Sequence, residues 1–254
     1  MRGFMFLKES HNSPVAITSD IDWAPDYAIR WMADKLKEFS IKATFFVTHE
    51  TPELNNLRKN SNLFELGIHP NFLPGSSHGA TVEEVLSTCL KVVPEAVSMR
   101  THALFQSTLI LQKATATPIR NDCSLFLPGT PNVSAHKLYL GTKIPLNRFP
   151  FSWEDDIEQV TPQKNWSFSV LPEQKNYLML NFHPLLVYLN DVDGASYKEL
   201  KAKFVRITHA PKDEADKLIN KGDGPRTAFL KALIMAKNRS LNVKDLYDVL
   251  DQAT

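Results

Sequence analysis

Short apolar runs alternate along the chain with stretches in which apolar residues recur every three or four positions. Val15, Ala16 and Ile17 lead into Asp20 and Asp22. After Pro25, the residues Tyr27, Ile29, Met32, Leu36 and Phe39 follow helical spacing, with Arg30, Lys35, Lys37 and Glu38 between them. Ile41 to Thr48 is a second β-favouring run. Strand, helix and strand in immediate succession predict a βαβ unit, with parallel strands and a right-handed crossover. Side chains alternate along a strand, so Asp20 and Asp22 are expected on one face. Two carboxylates that close need a cation or a shared proton. The plainer reading is that Asp20 forms a turn and Asp22 caps the helix.

The same rhythm continues. Thr51 to Arg58 starts like a helix, and Leu63 to Pro70 is a third strand run closing on His69. A loop full of breakers follows, from Asn71 to Gly79. Thr81 and Glu84 then have the spacing of a capping box, opening a helix to about Val93. Ala96 to His102 reads as a fourth strand, placing Arg100 and His102 on one face, and Leu104 to Leu111 as helical. Ile119 to Cys123 is a weak fifth strand, and the irregular segment from Ser124 to Leu146 has room for a hairpin. Lys143 to Pro150 and Tyr177 to Pro184 are the sixth and seventh runs, the last closing on His183. From Ser196 to Thr254 the pattern is helical and charged. The expected fold is α/β: a distorted (β/α)7 barrel of parallel strands with extra C-terminal helices. Residues 1–254 read as one domain, with a core over about 13–190 and a helical segment over about 196–254.

Composition narrows the partners. A length of 254 residues with 43% hydrophobic content suffices for one sizeable core. A net charge of +1 gives no basic footprint for nucleic acid. Two cysteines without close spacing make neither a disulfide framework nor a zinc cluster. No apolar run is long enough to span a membrane. The apolar stretch from Met1 to Lys8 is too short for a signal peptide and lacks a small-residue cleavage site. A cytoplasmic protein is the expectation; the oligomeric state is not legible.

The polar residues that close the strand runs carry the chemistry. Asp20, Asp22, His69, Arg100, His102, the stretch Trp153 to Asp156, and His183 all fall at carboxyl ends of apolar runs. In a parallel barrel those ends open onto one face, where catalytic groups gather. A carboxylate with two imidazoles makes a facial metal set with open positions. A second carboxylate can then act as base, an arginine can orient it, and a further histidine can protonate a leaving amine.

Ala16 to Val47, Glu65 to His69, Arg100 and Leu180 to His183 together resemble the motifs of the NodB-type polysaccharide deacetylases, carbohydrate esterase family four. Gly67 to Phe72, Arg100 to Ser107 and Trp153 to Asp156 are similar to the WbmS-like branch found in O-antigen clusters. The resemblance implies a distorted seven-stranded barrel and metal-dependent removal of acetyl groups from sugars. It makes Asp20 the base, Asp22 and His69 metal ligands, Arg100 the partner of the base and His183 the general acid. The family pairs two histidines four apart, but position 73 is Leu. The third ligand is therefore His102, or alternatively His78. One divalent ion is implied, with zinc ahead of nickel, cobalt or manganese.

Asn71, Trp153, Glu154 and Asp155 are the candidate substrate contacts, with Trp153 as a stacking wall for a sugar ring. The expected substrate is an N-acetylated sugar, nucleotide-linked or lipid-linked, in surface polysaccharide (O-antigen) biosynthesis. The rival readings are a catalytically silent carbohydrate-binding barrel and a metal hydrolase of another amide.

Overall fold

A computed structural model describes residues 13–251. The stretch from Met1 to Lys8 and the last three residues of the C-terminal segment lie outside them. The strands are β1 (Val15–Asp20), β2 (Ala43–Val47), β3 (Phe64–Ile68), β4 (Ser98–Met99), β5 (Asn121–Asp122), β6 (His136–Leu138), β7 (Leu146–Arg148), β8 (Trp153–Glu154) and β9 (Leu178–Phe182). The helices are α1 (Asp26–Glu38), α2 (Glu53–Arg58), α3 (Val82–Val92), α4 (Thr108–Ala114), α5 (Asp155–Val160), α6 (Pro184–Leu189), α7 (Ala195–Lys203), α8 (Lys212–Asp216), α9 (Pro225–Ala236) and α10 (Val243–Asp251).

The strands form one sheet in the order β6-β7-β5-β4-β3-β2-β1-β9-β8. All pairs are parallel except β6 with β7, the hairpin for which the irregular segment had room. β7 and β8 lie near opposite ends of this order yet belong to one extended stretch, residues 146–154. Its first half bonds to the β5 side, through Phe149 N to Asp122 O and Phe151 N to Leu125 O. Its second half turns to β9, through Ser152 N to Met179 O. This stretch curls the sheet towards closure. Counting β7 and β8 as one and setting β6 aside, nine strands become seven, the expected number.

Curling makes two cores. Outward residues of β1 such as Val15 and Ile17 pack with Ile29, Met32 and Leu36 of the amphipathic α1. Inward residues form a second cluster that includes Ala16, Phe46, Phe149, Phe151, Tyr177 and Met179. Burial on both faces is why these strands read as continuous apolar runs. Gly67 faces this interior, and a Cβ there would lie 2.7 Å from both the Phe46 ring and Ser98 O. Only glycine fits where those two groups converge.

The C-terminal helices close the lower mouth and cover the outside. Val243 and Leu246 of α10 enter the inner cluster. The α10 amino end is tied to strand side chains, with Val243 N donating to Thr44 Oγ1 and Lys244 N to Glu65 Oε2, each at 2.9 Å. Glu65 also accepts from Ser98 Oγ and Thr44 Oγ1. α9 packs outside, against β1, β9 and α6. No helix among the described residues is long and apolar enough to cross a membrane.

The predicted capping box of α3 is present, with Thr81 Oγ1 accepting from Glu84 N and Glu84 Oε2 accepting from Thr81 N. The expected strand from Ala96 to His102 is much shorter. It keeps only Ser98–Met99, because the chain leaves the sheet at Arg100 and coils into a 3-10 turn at His102–Leu104. Ala103 and Leu104 have positive φ there (51° and 53°), and α4 starts only at Thr108, capped by Ser107.

Candidate active site

The strand ends converge at the mouth opposite α10. Asp20 is the last residue of β1 and points inward, as Ala16 and Thr18 do. Arg100 and His69 leave β4 and β3 just past their last ladder bonds, Arg100 N to Ile68 O and His69 N to Val47 O. His183 follows β9 and opens α6.

Asp22 reaches the site by another route than strand alternation. β1 ends at Asp20, and Ile21 N makes a last bond to Phe46 O. The chain then turns through Asp22 and Trp23, both left-handed (φ 39° and 54°). Ala24 N bonds back to Ile21 O, and Trp23 N donates to Thr48 Oγ1. Non-glycine residues in this region cost about 1–3 kcal/mol each, and such strain concentrates at functional sites. His102 also reaches the site from a turn and not from a strand, so it shares no strand face with Arg100.

Asp22, His69 and His102 meet tip to tip. Asp22 Oδ1 lies 3.1 Å from His69 Nε2 and 3.0 Å from His102 Nδ1, and the two ring nitrogens are 3.3 Å apart. Zinc holds such donors at about 2.0–2.2 Å, which separates neighbouring donors by roughly 2.9–3.5 Å. The triangle fits a single divalent ion. His69 Nδ1–H donates to Arg100 O at 2.7 Å, so Nε2 is the nitrogen that would offer a lone pair to an ion. That backbone anchor is the usual second contact of a metal-binding imidazole. His69 is 2% exposed, whereas Asp22 is 30% and His102 23% exposed, so the triangle is open to solvent on one side. Burial would raise the Asp22 carboxyl, but the hydrogen bonds from His102 and His69 outweigh it and hold it well below the carboxylate range.

His78 does not join the triangle. Its Nε2–H donates to Thr48 O at 2.7 Å and its Nδ1 accepts from Asn71 N at 3.1 Å, so both ring nitrogens are committed to backbone. Burial lowers its pKa, in keeping with a neutral ring. Asn71 is half-buried, and its Oδ1 accepts from Leu73 N, stabilising the loop.

Asp20 is held from two sides. Oδ1 accepts from Arg100 Nη1 at 3.1 Å, and Oδ2 from Asn181 Nδ2 at 2.9 Å. Oδ2 also faces His69 Nε2 at 3.8 Å, which sets Asp20 beside the triangle. Arg100 is fully buried, with Nε donating to Cys123 O and its guanidinium between the rings of Phe46 and Phe151.

On the opposite wall, His183 Nδ1–H donates to Asp155 Oδ1 at 2.6 Å, and His183 Nε2 lies 3.6 Å from Asp22 Oδ2. Burial would lower the His183 pKa, but the charges of Asp155 and Asp156 outweigh it and raise it well above the ordinary value. Asp155 is fully buried and turned to His183, so it is not placed to touch a substrate. Trp153 is also misplaced for stacking. It is 4% exposed, packed against Trp166, Phe168 and Phe182, and its Nε1–H donates to Glu158. Its position in β8 turns the ring outward into the helix-side core, and Glu154 inward. Glu154 is buried and accepts from Asn181 Nδ2 at 2.8 Å. Burial, then the charge of Asp156, pushes its carboxyl up to about 8.

Two members of the site were absent from the expected set, Thr18 and Asn181. Each sits two residues before an expected member, Asp20 and His183, on the same strand face. Alternation pointed to both.

The arrangement thus offers a triangle of donors spaced to hold a metal ion, an anchored carboxylate on one side and a carboxylate-backed imidazole on the other. That combination suits water-dependent cleavage of an ester or amide. Comparison with known proteins bears on which family uses it here. The family model described as WbmS-like polysaccharide deacetylase matches residues 17–201. A crystal structure from Bordetella bronchiseptica is 32% identical, covering 88% of this chain and 90% of its own, with a TM-score of 0.75. That protein is described as a candidate polysaccharide deacetylase involved in O-antigen biosynthesis. The 4-alpha-glucanotransferase of Thermococcus litoralis is similar in fold alone, at 9% identity and a TM-score of 0.51, over 92% of this chain and 38% of that one. Comparison with curated proteins gives no match. The model match spans most of the barrel, including β1 to β9 from Ile17 onward and every residue of the triangle, so the chain belongs to the WbmS-like polysaccharide deacetylases.

Proposed function

We propose that the protein is a metal-dependent hydrolase that removes the acetyl group from an N-acetylated sugar. The observation that carries this reading is the 3.0–3.3 Å triangle of Asp22, His69 and His102 lying beside Asp20. Asp22, His69 and His102 would hold the ion, with zinc first among the candidates. When bound, a divalent ion supplies Lewis acidity, making water a nucleophile near neutral pH and polarising a carbonyl oxygen. Asp20 takes the proton from the attacking water, and Arg100 and Asn181 keep its carboxylate aimed. The carbon–nitrogen bond breaks as His183 delivers a proton from Nε2 to the departing nitrogen. Asp155 supports that step by holding the proton on Nδ1 and fixing the ring. Amide and water become acetate and amine.

The substrate we infer is an N-acetylated sugar carried on a nucleotide or a lipid, deacetylated on the cytoplasmic side during surface polysaccharide synthesis. Membership of the WbmS-like family and likeness to the Bordetella protein support this setting. The test is acetate release from nucleotide-linked and lipid-linked N-acetyl sugars by zinc-loaded protein, with Asp20→Asn as control. Release that depends on Asp20 supports the reading; a zinc-loaded protein inert towards every acetylated sugar contradicts it.

A further inference from the structure

Just inside the rim, Asn181 joins two carboxyl groups, and the hydrolytic scheme uses only one of them. The Asn181 carboxamide has a fixed sense. Its Oδ1 accepts from Arg100 Nη1 and from Thr18 Oγ1, which puts the amide nitrogen on the far side. Nδ2 donates to Asp20 Oδ2 at 2.9 Å and to Glu154 Oε1 at 2.8 Å, committing both of its hydrogens.

The charges around this amide do not balance in pairs. Arg100, arriving from β4, forms an ion pair with Asp20 of β1. His183, after β9, pairs with Asp155 at the start of α5. Glu154 is 5% exposed, and its described hydrogen bond is to a neutral amide. Donor atoms of Asp20, Glu154 and His183 lie within 4.8 Å of one another. Asp156 adds a further acidic influence from α5, while His183 and Arg100 act in the opposite sense. A buried carboxyl beside another carboxylate, without its own cation, is stabilised by keeping its proton.

We propose that Glu154 is a positioning residue acting as a neutral acid: through Asn181 it fixes Asp20 and leaves Asp20 as the anionic carboxyl on that wall. This inference rests on the reading of Asp20 as the base. Hydrolysis builds negative charge on the carbonyl oxygen, and a second carboxylate nearby would oppose that build-up. An ionised Glu154 would also draw the amide hydrogens away from Asp20.

The experiment compares Glu154→Ala, Glu154→Gln and Asn181→Asp in the zinc-loaded protein. Glu154→Ala frees one side of the amide and lowers kcat by about tenfold, the scale of one lost buried hydrogen bond. Its KM stays near the wild-type value. Glu154→Gln keeps the shape and neutrality of the protonated acid and restores most of that loss. Asn181→Asp sets another carboxylate against Asp20 and lowers kcat by about a hundredfold, the scale of a misplaced catalytic group. A second readout needs no turnover. Near pH 7 the infrared spectrum of the wild type contains a protonated-carboxyl stretch that is absent from Glu154→Gln. The proposal is overturned if Glu154→Gln is as impaired as Glu154→Ala, or if the two spectra share the same carboxyl bands. A protein that shows the band yet hydrolyses no acetylated sugar contradicts the deacetylase reading and leaves the proton on Glu154 supported.

Discussion

Asp155 grips His183 at two points, accepting from its backbone nitrogen at 2.9 Å and from Nδ1–H at 2.6 Å. Both carboxylate oxygens are used, so the imidazole can neither rotate nor exchange tautomers without breaking a buried bond. His183 Nε2 therefore faces the cleft, and it carries a proton there when the ring is in its cationic form, which the raised pKa favours. Asp155→Asn offers an amide where an acceptor is required and favours the wrong tautomer. Its kcat is expected to fall by about 10²–10⁴-fold, the usual contribution of a positioned acid. Acetate release alongside an unchanged circular dichroism spectrum checks this; activity near wild type contradicts it.

Gly67 tests the packing of the barrel interior. Alanine there drives a methyl against the Phe46 ring and Ser98 O. Overpacking of this kind costs about 1–3 kcal/mol. The urea midpoint of Gly67→Ala should fall accordingly, and an unchanged midpoint would show that the strands can spread to admit the methyl.

Glu65 tests the plug at the lower mouth. Glu65→Leu leaves Lys244 N with no acceptor at the amino end of α10, while the Thr44 and Ser98 hydroxyls can rotate to seek others. Losing a hydrogen bond at this part-buried helix end costs about 0.5–1.5 kcal/mol. Faster hydrogen exchange across α10, with the strands still protected, is the expected signature. Equal protection in both proteins would mean that α10 is held by Val243 and Leu246 alone.

The raised Glu154 carboxyl has a consequence for stability that is separate from turnover. Its ordinary value is 4.5 and its folded value about 8. Between those values the folded protein binds the proton more tightly than the unfolded chain, so stability falls as pH rises through this window. Glu154→Gln has no such proton to lose. Its Tm should decline less than that of the wild type between pH 5 and pH 8. Parallel Tm curves would mean that Glu154 titrates alike in both states.

Much of this was legible in the chain, because parallel strands buried on both faces announce themselves as apolar runs and their carboxyl ends share one rim. Asp20, His69, Arg100 and His183 were located that way. Strand alternation also predicts Asp22 and His102 at this rim, but neither residue lies on a strand. Both lie in left-handed or 3-10 turns that no hydrophobic period encodes. Trp153 departs from the expected stacking wall because the two-residue β8 gives too short a pattern to tell which side faces inward. Asn181 is not among the expected site residues, although its spacing of two from His183 puts it on the inner face. The sequence favours His102 over His78 but leaves His78 as an alternative, since the hydrogen bonds that commit His78 to Thr48 O and Asn71 N exist only in the folded loop.

The proposed hydrolysis requires Asp22, His69 and His102 together to hold one divalent ion. The direct measurement is zinc binding to metal-stripped protein by calorimetry, comparing wild type with Asp22→Ala, His102→Ala and His78→Ala. One ion per chain is expected in the wild type and in His78→Ala, with severe loss of affinity in the other two. A wild type that takes up no zinc, or an Asp22→Ala protein that binds it as tightly as the wild type, would rule out this ion site.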